Sequence, residues 1–313
     1  MRWSVSNARM FRRCPRQWYF KNILANYRAK DGTLPRKVYL LGKLQNIGMW
    51  RGTLVDKVLN EMITYSRRKG QQKPKVANMI GRARNLFDRQ LAFARQHRLH
   101  EAGFTPSQYG DDFVAFFSVE YGGTVPEDEV TKAWEEVEQA LCNISKIQEL
   151  RDSLPSADKL ITQRRLTFHL GEVAVQATPD LVAFYADAPP LIVDWKVYAG
   201  GIQEAGLQLG IYALALSRCS PHRDFPDYSR WGATDTRLME VQLLQGRVRS
   251  HRVADEDIER LEEYIAATAM DIELACLGAT KPRDELEPED FPVAWNPRVC
   301  TQCQYKKVCW EES

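Results

Sequence analysis

The sequence has no long hydrophobic run. Its longest mostly apolar stretch, Leu207 to Leu216, is interrupted by Gln208 and falls far short of the roughly 18 residues that span a bilayer. No membrane association is therefore expected. An apolar core followed by a small-residue cleavage site is also missing at the N-terminus, so a secretory signal is not expected. The first acidic residue is Asp31. The acid-free, arginine-rich segment before it matches an organellar presequence in charge, yet it carries a cysteine motif that cleavage would discard. The expected location is cytoplasmic, nucleoid-associated, or another reducing intracellular compartment. No internal repeat and no low-complexity segment occurs, so a repeat array is not expected.

What is present describes a water-soluble globular chain. It has 313 residues, 44% of them hydrophobic and 27% charged, with a mean hydropathy of -0.43. That is enough apolar material for a large core and excludes a disordered tail or a polytopic membrane protein. The net charge of +2 hides a strong asymmetry. Between Arg67 and Arg98 ten basic residues face the single acid Asp88, whereas Asp255 to Asp290 holds 13 acids against three basic residues. A basic stretch in a near-neutral chain points to a polyanion partner for one face; a solvated helix face is the plain alternative.

The hydrophobic period divides the chain in two. Ser4 and Ser6 precede a short helix that stops near Cys14-Pro15, and a second begins near Pro15. Tyr39 to Arg68 reads as helix with breaks at Gly48 and Gly52, and 76–98 and 127–150 share the helical period. From Ile161 the pattern changes. Arg165–Leu170, Val173–Tyr185 and Leu191–Tyr198 read as three consecutive strands, 203–217 as helix, 237–244 with 248–253 as a hairpin, and 255–277 as helix.

The cysteines carry the sharpest local signal. Cys300, Cys303 and Cys309 form C-x2-C-x5-C, and Cys14 lies near the other end. Three thiols on one compact loop plus a fourth from elsewhere suit either zinc or an iron–sulfur cluster. Three unrelated buried cysteines are the bland alternative. If Cys14 closes the set, chain-entropy reasoning developed for disulfides gives about 5–6 kcal/mol of stabilisation. Cys142, Cys219 and Cys276 read as structural.

A second constellation lies in the strand block. Asp194 and Lys196 alternate with Val193, Trp195 and Val197, so the carboxylate and the ammonium share one face. Pro179-Asp180 on the adjoining strand would bring a second carboxylate beside them. Two oxygen donors suit Mg2+ or Mn2+, and a nearby lysine can assist water deprotonation or stabilise phosphorane charge. An ordinary exposed Asp/Lys pair is the alternative. Gln208 and Tyr212, at i and i+4 on the next helix, would orient the lysine or touch a phosphate.

Taken together, Ser4-x-Ser6-x4-Phe11-x2-Cys14-Pro15-x2-Trp18-Tyr19, Pro179-Asp180, Asp194-x-Lys196, Gln208-x3-Tyr212 and Cys300-x2-Cys303-x5-Cys309 resemble the PD-(D/E)XK nucleases of the RecB and AddB type that carry a four-cysteine iron–sulfur cluster. The resemblance covers both ends and about 161–217, not the basic stretch. It implies that Asp180 and Asp194 bind the catalytic metal, that Lys196 is the catalytic lysine, and that Gln208 and Tyr212 match the family's Q-x3-Y helix. It further implies that Cys14, Cys300, Cys303 and Cys309 hold a [4Fe-4S] cluster, which decides between iron–sulfur and zinc. Relatives often supply a histidine ligand from an early G-x3-H helix. Here Gly52-Thr-Leu-Val-Asp56 places Asp56 there, with Glu61 in reserve, and Val197 replaces a small polar residue.

The expected fold is α/β: a central mixed β-sheet of four or five strands flanked by helices, restriction-endonuclease-like, with an inserted helical subdomain and the cluster joining the terminal segments. The expected parts are 1–60 (helical, first cysteine), 61–160 (helical insertion), 161–255 (catalytic core) and 256–313 (helix and cluster segment). The expected function is a Mg2+- or Mn2+-dependent deoxyribonuclease, an exonuclease on single-stranded DNA or DNA ends, in repair, recombination or defence, with a helicase or other DNA-processing protein as partner. Arg67, Arg68, Lys69, Lys73, Lys75, Arg82 and Arg84 would guide the strand, with Trp18, Tyr19 and Tyr212 as candidate base-stacking surfaces, core packing being the more ordinary role for each of the three. The alternative is a catalytically weak or inactive DNA-binding or assembly subunit that keeps the fold and the cluster. A third reading makes the cluster an oxidation sensor.

Overall fold

The computed structural model describes residues 1–68, 75–197, 202–227, 231–278 and 285–310. Lys69 and Lys73 lie outside them, as does Gly200-Gly201. In chain order the strands are β1 (Arg2–Trp3), β2 (Leu44–Gln45), β3 (Ala115–Phe116), β4 (Lys159–Thr162), β5 (Leu166–Leu170), β6 (Val173–Ala177), β7 (Leu181–Phe184), β8 (Leu191–Lys196), β9 (Arg237–Gln242) and β10 (Arg247–His251). The helices are α1 (Val5–Arg13), α2 (Pro15–Tyr19), α3 (Leu34–Leu41), α4 (Ile47–Arg68), α5 (Val76–Arg95), α6 (Phe117–Gly122), α7 (Glu127–Ile144), α8 (Gln148–Ser153), α9 (Ile202–Arg218), α10 (Asp255–Gly278), α11 (Arg298–Thr301) and α12 (Lys306–Trp310). None of the described helices is long and apolar enough to cross a membrane.

Two compact units form. The first comprises Met1–Val5, Arg51–Arg84 and Lys132–Ala267. It holds a mixed five-stranded sheet in the order β10-β9-β8-β7-β4 and a three-stranded sheet in the order β1-β6-β5. In the larger sheet β8 and β9 run parallel and the other described pairs antiparallel. Central β8 is buried along almost its whole length, as a strand covered on both faces must be. Helix α9 packs against β5 and β6 of the small sheet and β8 and β9 of the large one. That position explains why Leu209, Ile211, Ala213, Leu214 and Ala215 are all buried: a helix between two sheets is apolar nearly all round. Gly210 lets it approach α10, because a Cβ there would lie 3.1 Å from Leu261 Cδ1.

The second unit comprises Ser6–Trp50, Asn85–Thr131 and Thr268–Ser313. Its core gathers Phe11, Trp18, Tyr19, Phe20, Phe291 and Tyr305. Tyr19 stacks on Phe291 with ring centroids 4.9 Å apart, and its hydroxyl donates to the Leu286 carbonyl at 2.7 Å. The short parallel pair β2–β3 completes it.

Two sequence expectations are corrected. Gly48 and Gly52 do not break a helix; the break lies between Leu41 and Ile47. Asn46 Oδ1 accepts the Met49 N–H at 2.7 Å, so α4 starts ahead of both glycines, each of which costs only about 1 kcal/mol inside a helix. The stretch Val173–Tyr185 is also not one strand. Pro179 has no N–H to continue a ladder, and the chain leaves the small sheet at Ala177 and enters the large one at Leu181.

Candidate active site

Strand register builds the site. Leu181 pairs with Val193 across β7 and β8, which brings Asp180, just before β7, level with Asp194. The Trp195 N–H donates to Asp180 Oδ2 at 2.8 Å and fixes that carboxylate. Asp194 is buried, and the Lys196 ammonium sits 2.7 Å from its Oδ2, as alternation on β8 requires. Helix α4 contributes Asp56 from beside its buried stripe of Leu54, Val55, Val58 and Leu59. The Gln163 side-chain amide donates to Asp56 Oδ1 at 3.0 Å and to Asp180 Oδ1 at 3.0 Å, joining two carboxylates from distant parts of the chain.

Helix α9 supplies the remaining contacts. Gln208 Nε2 donates to Asp194 Oδ1 at 3.2 Å and to the Tyr212 hydroxyl at 2.6 Å, while Gln208 Oε1 accepts from Lys196 Nζ at 3.3 Å. A single amide thus fixes the orientation of both the carboxylate and the ammonium. The structure therefore brings Asp56, Asp180, Asp194, Lys196, Gln208 and Tyr212 together.

Burial pushes the Asp180 carboxyl well above the ordinary range, and the nearby Asp194 and Asp56 carboxylates push it further. Asp56 is also raised, chiefly by burial, with the Gln163 hydrogen bond opposing. Three converging carboxylates against one ammonium form a hard-oxygen donor set that fits a divalent cation of the Mg2+ or Mn2+ class. Asp56, Asp180 and Asp194 would hold it. The pH dependence follows. Because the folded-state values lie above the unfolded ones, these two carboxyls stabilise the metal-free fold most when protonated, and that contribution falls as pH rises past the ordinary carboxylate range. A cation that binds the ionised forms opposes this loss. The stabilisation by Mn2+ in thermal melts, relative to EDTA, is expected to grow between about pH 5 and 8. A shift of equal size across that range would mean the raised carboxyls are not the ligands.

Sequence reasoning missed Gln163, whose φ of 49° places a non-glycine residue in the left-handed region. It also missed the continuation of the polar row along β9. Parallel register sets Asp194 beside Glu240 and Lys196 beside Gln242. Glu240 is fully buried and accepts from Gln242 Nε2 at 3.1 Å, with His251 Nε2 3.3 Å away. The signal was available: Glu240 and Gln242 alternate with Met239, Val241 and Leu243.

Other expected residues are placed elsewhere. Glu61 binds Arg82 (2.8 Å) and Lys57 (3.4 Å). Arg84 lies over the Trp134 ring at 4.7 Å. Further along α5, Arg89 pairs with Asp112 and Arg95 with Glu127. Arg82, Arg89 and Arg95, three of the ten basic residues of this stretch, are thus matched by acids from other segments. Lys75 is exposed; the side chains of Arg67 and Arg68 lie outside the described residues. Trp18 and Tyr19 are only 5% and 2% exposed, packed in the second unit's core, so neither is a base-stacking surface. Tyr212 is buried as well.

In the second unit, Cys14, Cys300, Cys303 and Cys309 line one small cavity together with Gln17 and Phe20. Cys14 caps α2 by accepting the Gln17 N–H at 3.4 Å. Burial pushes the Cys303 thiol up to about 11, with Cys14, Cys309 and Cys300 adding to the shift. Cys300 and Cys309 are raised too, again chiefly by burial.

A family model described as the PD-(D/E)XK nuclease superfamily matches residues 2–310. Among curated proteins none matches. A crystal structure of SSO0001 is similar at 11% identity and a TM-score of 0.29, covering 74% of this chain and 96% of that one. That of protein VC1899 from Vibrio cholerae is similar at 13% identity and a TM-score of 0.25, covering 74% of this chain and 61% of that one.

Proposed function

The chain belongs to the PD-(D/E)XK nuclease superfamily, and on that premise we propose that it is a divalent-metal-dependent deoxyribonuclease of the RecB and AddB type, acting on single-stranded DNA or DNA ends. The observation that carries this reading is the convergence of Asp56, Asp180 and Asp194 with Lys196 on one sheet face, linked by Gln163 and Gln208. A bound Mg2+ or Mn2+ supplies Lewis acidity at the scissile phosphodiester and lowers the pKa of the attacking water. The protein residues then position and balance charge. Gln163 holds Asp56 and Asp180 in alignment. Lys196 places a cation where negative charge grows on the phosphoryl oxygens, and preorganised charge is worth most in a water-poor site. Gln208 keeps Lys196 and Asp194 from reorienting as that charge develops.

The convergence of Asp56 on the other carboxylates favours this reading over a catalytically silent subunit, because the aspartate offers a hard ligand where relatives often use histidine. The test is degradation of end-labelled single-stranded and duplex DNA with Mn2+ and with EDTA. Metal-dependent release of short products, faster from single strands, is the expected result. Tight DNA binding with no cleavage under either condition would instead make the chain a binding subunit.

The same reading assigns a [4Fe-4S] cluster to Cys14, Cys300, Cys303 and Cys309. The four thiols line one small cavity, and coordination by iron would stabilise the thiolates that burial disfavours. Its role is to join the terminal segments of the second unit. Brown protein absorbing near about 400 nm after anaerobic purification is expected.

A further inference from the structure

Among the described residues, two that are not glycine have positive φ: Gln163, at the carboxylates described above, and His97, at φ 48°. Strained backbone of this kind persists where the surroundings over-determine it, often at functional sites. His97 follows α5 and opens a tight turn that carries His100. Both imidazoles converge on a single oxygen of Glu120. His100 Nε2 lies 2.8 Å from Glu120 Oε2 and His97 Nε2 lies 3.6 Å from it. The three ligand atoms all fall within 4.8 Å of one another.

The Glu120 side chain is completely buried. Its other oxygen, Oε1, is ion-paired with Lys307, whose ammonium also donates to the Glu120 carbonyl at 3.1 Å. The buried charge is therefore already matched by Lys307, and satisfying the carboxylate does not require two imidazoles on the opposite oxygen.

We propose that His97, His100 and Glu120 form a binding site for one zinc-class transition-metal ion. Two imidazole nitrogens and one carboxylate oxygen are a borderline donor set suited to zinc rather than magnesium. An ion about 2.0–2.1 Å from each ligand spaces adjacent ligands roughly 3.3 Å apart, between the two observed distances to Oε2. Lys307 acts as the supporting hydrogen bond that ligating carboxylates ordinarily have. Both histidine side chains are 42% exposed, which leaves an entry path and a fourth position for water. The ion would tie the turn after α5 to α6 and, through Lys307, to α12.

The test uses the full chain, purified anaerobically so that the thiol site keeps its own occupant, with excess Mg2+ to fill the carboxylate site and Zn2+ added stepwise to two equivalents. Diethylpyrocarbonate modification of each histidine is read by mass spectrometry. Zinc is expected to slow modification of His97 and His100 at least tenfold while exposed His169 is unaffected. In competition titrations, His100→Ala is expected to remove one zinc equivalent while Cys300→Ser leaves that equivalent in place. Equal modification of His97 and His100 with and without zinc would overturn the proposal, and so would an unchanged zinc stoichiometry in His100→Ala. Neither readout depends on nuclease activity.

Discussion

Lys196→Ala is expected to slow DNA cleavage about 10²–10⁴-fold while Mn2+ affinity stays level or tightens. On the proposed function the two effects separate, because the lysine would serve the transition state and the carboxylates the ion. Its ammonium lies 2.7 Å from Asp194 Oδ2 and is 24% exposed, so it balances charge in a partly dehydrated site and competes with any cation for that oxygen. Removing it would free the oxygen for metal and leave the growing phosphoryl charge without its partner. Lys196→Arg should not restore the rate, since a planar fork cannot take the place of a compact ammonium held by Gln208 Oε1 at 3.3 Å. Calorimetric Mn2+ titration alongside single-turnover cleavage checks both halves. A Lys196→Ala protein that cleaves at the wild-type rate would remove the lysine from the chemistry.

What could be read from the sequence was what depends on local period. Asp194 and Lys196 share a face because strand side chains alternate, and Gln208 and Tyr212 share one because helix positions i and i+4 do. Four strands of the large sheet, β7 to β10, also followed from strand-like runs and turn residues; β4 carried no such signal, and β5 and β6, expected in the same sheet, pair with β1 in a separate one. Gln163 was invisible because its role depends on a left-handed turn that no local pattern announces. Glu240 needed the parallel register of β8 and β9, a pairing between strands with α9 between them in the chain. Ion pairing within the basic stretch was hidden for the same reason. Arg82, Arg89 and Arg95 meet Glu61, Asp112 and Glu127, which lie 21, 23 and 32 residues away. For Trp18 and Tyr19 core packing, the plainer of their two readings, is what the fold shows, and their partner Phe291 comes from the far end of the chain.

Cys14→Ser is expected to give colourless protein whose Tm is lower by on the order of 10–20 °C. Closing a ring from Cys14 to the C-terminal thiols is worth about 5–6 kcal/mol if the disulfide entropy relation extends to a cluster, and each kcal/mol moves Tm by about 2–4 °C at this size. The loss should loosen the second unit without abolishing it. Tyr19 still bonds the Leu286 carbonyl, and Arg16 Nε still donates to the Phe291 carbonyl at 3.0 Å. Cys142→Ser, a half-buried cysteine outside the set, should leave both colour and Tm unchanged. Exposing the wild-type protein to oxygen until its colour bleaches should lower its Tm toward that of Cys14→Ser and should not change the variant. If bleaching destabilises both proteins equally, Cys14 is not a cluster ligand and the ring closes elsewhere.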